Sequence, residues 1–124
     1  MTQPLALVVY EKLLPGSQLV NRLQDLQYRV QTLPDPAQMA GTAAEAKPML
    51  VFMDLEASGK DVCGAIKQLR QKQSTAHIPV VGFTMETQKE LEEAARAAGI
   101  TVVVTEAVLL NHLPQVLEQA LQVE

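Results

Sequence analysis

Apolar runs of four to six residues recur along this chain, and the stretches between them bring an apolar residue back every three or four positions. Three of the runs are Leu5–Tyr10 (LALVVY), Met49–Asp54 (MLVFMD) and Ile78–Phe83 (IPVVGF); a shorter one is Thr101–Val104. Unbroken runs of this kind, bounded by Pro or Gly, read as strands covered on both faces, the habit of parallel sheets. Tyr28–Leu33 (YRVQTL) instead alternates large or apolar residues with polar ones, which predicts a half-covered strand at a sheet edge.

The intervening segments read as helices. Pro15-Gly16-Ser17 opens the first, with Leu19, Leu23 and Leu26 on its apolar face. Asp35-Pro36 supplies an N-cap and a first-turn proline for a short helix carrying Met39, Ala43 and Ala46, weakened by Gly41. After Gly59 a third helix turns Val62, Ala65, Ile66 and Leu69 inward, with Lys60, Lys67, Arg70 and Lys72 outward. Ser74–His77 is a loop. Thr87-Gln88-Lys89-Glu90 is a capping box, and the helix after it sets Leu91, Ala94, Ala95 and Ala98 on one side before Gly99 closes it. Pro114 fits only near a helix start, so the last helix begins around Leu110–Leu113, its inner face Leu113, Val116, Leu117, Ala120 and Leu121. Strand and helix alternate five times without linker, repeat or low-complexity segment. This predicts a single α/β domain over residues 1–124, a doubly wound five-stranded parallel sheet with right-handed crossovers.

Composition narrows the picture. With 48% hydrophobic residues the chain can bury a real core, and with 3% aromatics and no Trp that core is aliphatic. The net charge of −4, with no basic run, argues against direct contact with nucleic acid. The single cysteine, Cys63, forms no internal disulfide and fits a reducing compartment. No signal-peptide pattern and no apolar run near the roughly 20 residues of a membrane helix is present. The expectation is a soluble cytoplasmic protein with no membrane partner.

The central run ends on one carboxylate, Asp54, at the carboxyl edge of the sheet, where open α/β folds place their sites. A charge at that edge needs a partner, which makes Asp54 the first candidate for function. Elsewhere candidate chemistry is thin. Cys63 reads as a small buried apolar residue, and His77 and His112 lack metal-ligand spacing with it. Gly16 and Gly59 lie in turns and form no phosphate-cradling loop, and Glu92-Glu93 reads as a solvated helix face.

The segments LVVYE, MLVFMDLEASGKD, IPVVGFT and AARAAGITVVVTEA together resemble the receiver domains of bacterial two-component response regulators. The resemblance covers nearly the whole chain and implies a flavodoxin-like sheet of strand order 2-1-3-4-5. It implies that Asp54 stands at the phosphoacceptor position and Thr84 at the hydroxyl that contacts the phosphoryl group. Tyr10-Glu11 falls where receivers carry an acidic pair, and Glu106 where they carry a lysine, with Ala107 in place of the following proline. Val103 falls where receivers tend to carry a Tyr or Phe that switches rotamer. An aspartyl phosphate adds about two negative charges, which a divalent cation and the lysine normally offset. Two like charges about 4 Å apart near a surface repel by roughly 4 kcal/mol, so lysine-to-glutamate works against the phosphorylated state.

The first reading is therefore an interaction module, a receiver-like domain with a degenerate phosphorylation site, not an enzyme and requiring no cofactor. The alternative is a working receiver phosphorylated on Asp54 by a histidine kinase, and a third reading is a flavodoxin-like enzyme or ligand binder. Glu11, Asp54 and Glu106 are a weak candidate site for Mg²⁺ or Ca²⁺. The aliphatic cluster Val102, Val104, Val108, Leu109 and Leu110 lies in what the resemblance marks as the face for dimers and output partners. A signalling or output protein, or a second copy of the chain, is the expected partner.

Overall fold

The computed structural model describes residues 4–9, 13–33 (13–16 as backbone), 35, 38–56, 62–73, 75–85 and 88–121. Its elements are β1 (Leu5–Val9), α1 (Leu13–Asp25), β2 (Arg29–Leu33), α2 (Met39–Ala46), β3 (Leu50–Asp54) and α3 (Val62–Gln71), then β4 (Val80–Thr84), α4 (Lys89–Ala98), β5 (Val102–Thr105), α5 (Glu106–Asn111) and α6 (Leu113–Leu121). All strand pairs are parallel, and the order is β2-β1-β3-β4-β5, as expected of a flavodoxin-like sheet.

Alternation along the strands decides which helix covers which face, because successive side chains point to opposite sides. Leu7, Val9, Val51, Met53 and Val80 meet Met39 and Ala43 of α2, Val62, Ile66 and Leu69 of α3, and Ala95 and Ala98 of α4. Ala6, Val8, Leu50, Phe52, Val81 and Phe83 meet Leu19 and Leu23 of α1, Leu109 of α5, and Leu113, Val116 and Ala120 of α6. Both phenylalanines are spent on the second face. The edge strand β2 keeps Arg29, Gln31 and Thr32 exposed. Close packing beside β3 also explains Gly82, where a Cβ would lie 2.5 Å from Ile100 Cδ1 and 2.8 Å from Leu55 Cδ1.

Several expectations shift. The first helix starts at Leu13 rather than at Pro15, which proline permits because first-turn amides have no intrahelical acceptor. Leu26 lies past the end of α1 and is 38% exposed. Ala94 faces solvent and not the core. The N-cap of α4 is Gln88, which makes no side-chain cap bond, while Thr87 lies outside the described residues, as do Tyr10, Pro36, Gly59 and Lys60. Gly99 does close α4, at φ 110°. The largest difference is α5, a helix of six residues ahead of α6 that the periodicity did not predict.

Arg70 is the other correction. It turns back toward the sheet: Nε donates to Gly99 O at 2.9 Å, Nη1 to Ala76 O at 2.9 Å and Ile78 O at 2.6 Å, and Nη2 to Thr101 Oγ1 at 3.1 Å. Thr101 Oγ1 in turn accepts from the Val80 amide at 3.0 Å. One planar fork thereby ties the end of α3 to the starts of β4 and β5, and burial pulls the guanidinium pKa below its ordinary value. Losing four acceptors' partner should cost about 2–4 kcal/mol, since bonds from a charged donor are each worth a substantial part of that. Urea midpoints should fall accordingly in Arg70→Ala, and Arg70→Lys should recover less than half, because an ammonium cannot reproduce the fork. A wild-type midpoint in Arg70→Ala would contradict this account.

Candidate functional site

Three neighbouring strand ends of the carboxyl edge, those of β3, β4 and β5, carry candidate residues. Asp54 ends β3 and pairs with Phe83 of β4, so Thr84 lies one step beyond it. Thr84 pairs with Thr105 of β5, and Glu106 lies one step beyond that. The register thus sets Asp54, Thr84 and Glu106 in a staggered row on neighbouring strands. Asp54 is 5% exposed and Thr84 1% exposed, each the polar end of an otherwise apolar strand.

The burial of these groups is compensated within the domain. Asp54 Oδ1 accepts the Glu56 amide at 2.9 Å, a local turn bond that carboxylates favour. The ladder continues past it, the Leu55 amide donating to Phe83 O at 3.0 Å. Among the described residues no buried side-chain nitrogen or oxygen lacks a hydrogen-bond partner.

Glu106 has a local structural reason to be acidic. It is the first residue of α5, whose N-cap Thr105 accepts the Val108 amide at 3.4 Å. A carboxylate in a first turn faces the positive end of the helix dipole, whereas a lysine would oppose it. Glu106 is half-buried there.

Sequence reasoning passed over Glu56. Its Oε2 accepts the Met85 amide at 2.8 Å, and its Oε1 accepts the side-chain amide of Gln88. Glu56 therefore links the loop after β3 to the loop after β4, on either side of Asp54 and Thr84. The one sequence signal was an acid two residues past Asp54 in a loop of small residues.

Glu11 lies outside the described residues. Among the described residues no three His, Cys, Asp or Glu side chains gather closely enough to hold a metal ion. Of the proposed docking cluster, Val102 and Leu109 are buried in the domain's own core, Val104 and Leu110 are half-buried against it, and Val108 is 41% exposed. Val103 packs partly buried on the opposite face. Cys63 is half-buried against the core, and His112 is the C-cap of α5.

The response regulator receiver domain model matches residues 7–118. The chain belongs to the response regulator receiver domain family. A search of the curated proteins gives no match. Among solved structures, the receiver fold resembles the chemotaxis response regulator CheY4 of Vibrio cholerae, at 21% identity and TM-score 0.84, covering 96% of this chain and 99% of that one. It also resembles the response regulator domain of Thermotoga maritima CheB (18% identity, TM-score 0.81, 99% of each chain). A third likeness is the BeF3-activated N-terminal receiver domain of Klebsiella pneumoniae RstA (19% identity, TM-score 0.82, 96% and 99% covered). At these identities the likenesses establish the fold of the receiver domain. Among its described residues no helix is long and apolar enough to cross a membrane.

Proposed function

We propose that this receiver domain works as a protein-interaction module of a two-component signalling system, with a degenerate phosphorylation site. It docks a signalling or output protein, or a second copy of itself, in the cytoplasm, without catalysing a reaction and without a required cofactor. One observation carries the reading: half-buried Glu106 follows β5 at the same sheet edge, completing the staggered row with Asp54 and Thr84, in the place where the family resemblance puts a lysine. A phosphoryl group on Asp54 would add about two negative charges to an edge that already carries Glu106 and Glu56. Like charges at one edge repel, so each added negative charge works against the phosphorylated state. A working phosphoacceptor is the second reading, favoured by Asp54 and Thr84, which keep the family's residue types at matching strand ends.

The docking surface is smaller than the five aliphatic residues of the sequence cluster, since Val102 and Leu109 belong to the core. Val108, with the accessible parts of Val104 and Leu110, is what remains for a partner.

Two measurements test this reading. Intact mass after incubation with acetyl phosphate and Mg²⁺ should show no labile adduct; an adduct that disappears in Asp54→Asn overturns the degenerate-site reading. Light scattering over a concentration series should show association that Val108→Asp weakens at least several-fold, since a charge opposes burial of an apolar patch. A strict monomer that also fails to retain any component of its signalling system on a column would overturn the interaction module.

A further inference from the structure

We propose that Glu56 is a built-in latch, an internal carboxylate that holds the loop after β4 against the loop after β3 and fixes the start of α4 without any added anion. The inference rests on the reading of Asp54 as unphosphorylated and deepens it by naming what sets the conformation of the edge instead.

Backbone amides at a strand-to-loop edge are the groups an arriving anion would recruit. Here the Glu56 amide is already on Asp54 Oδ1 at 2.9 Å, and the Met85 amide is already on Glu56 Oε2 at 2.8 Å. The chain Asp54–Glu56–Met85 thus runs from β3 across to the residue after Thr84. Charged acceptors make the stronger amide bonds, and both Glu56 bonds form at the solvent-exposed rim of the edge.

Gln88 supplies the second half. It is the N-cap of α4 in extended conformation, yet its side chain makes no cap bond to the helix. Its side-chain amide donates to Glu56 Oε1 instead, while its backbone carbonyl accepts the Glu92 amide at 2.9 Å. One carboxylate therefore grips both the first residue after β4 and the residue that begins α4. Met85 itself is 57% exposed, so apolar burial does not hold this segment. The latch does, and releasing it frees Met85 and the first turn of α4, while Ala95 and Ala98 keep the rest of the helix on the core.

Amide hydrogen exchange by NMR on the full chain tests this, comparing wild type with Glu56→Ala, Glu56→Gln and Gln88→Ala. Exchange at Met85 should speed up about tenfold in Glu56→Ala, the effect of one lost bond to a charged acceptor, and by less in Glu56→Gln. The Gln88 side-chain NH₂ signals should move in both Glu56 variants, and amides of Val51, Phe52 and Val81 should stay as slow as in wild type. Gln88→Ala should leave Met85 protected but speed exchange in the first turn of α4. Unchanged Met85 exchange in a folded Glu56→Ala overturns the latch, while leaving the interaction-module reading to its own phosphodonor test. Conversely, an Asp54 adduct defeats that reading whatever Met85 does.

Discussion

A strand buried on both faces can carry a charge only at its end, and β3 is such a strand. All five residues from Leu50 to Asp54 are buried, with Val51 and Met53 against one helical layer and Leu50 and Phe52 against the other. The parallel pairing on both sides, with β1 and β4, follows from that double burial. The position of Asp54 is then a consequence of packing. The same holds for Thr84, which ends the equally buried β4.

The consequence for function is an edge that satisfies itself. Asp54 takes the Glu56 amide, Glu56 takes Met85 and Gln88, and Glu106 sits in the favourable field of α5's N-terminus. Each contact gives an acidic residue a reason to be there that does not involve a phosphoryl group. The opposite end of the sheet shows the complementary arrangement, with Arg70 tying α3 to the starts of β4 and β5. The domain is thus pinned at both ends by charged side chains bonded to its own loops.

The architecture was legible because uninterrupted apolar runs and helical spacing are set by burial over many residues at once. Boundaries drifted where single residues decide them: β4 begins at Val80 because Pro79 has no amide to donate to a ladder. The helix α5 was invisible because six residues with one buried position, Leu109, show no period. Arg70 was placed outward because charge usually is, and only the carbonyls of Gly99, Ala76 and Ile78, brought together by the fold, reverse that. Asp54 and Thr84 were readable as the polar ends of apolar runs. Glu56 was not, since its main partner is a backbone amide 29 residues away whose approach no spacing encodes.

The decisive property of the edge is whether Glu106 keeps Asp54 from accepting a phosphoryl-like group. Fluorine NMR with beryllofluoride and Mg²⁺, run on wild type and on Glu106→Lys, asks this of the folded protein without needing a kinase. The expected result is no protein-bound fluoride signal in the wild-type chain and a bound signal in Glu106→Lys that Asp54→Asn abolishes. A bound signal in the wild type, lost in Asp54→Asn, would contradict it.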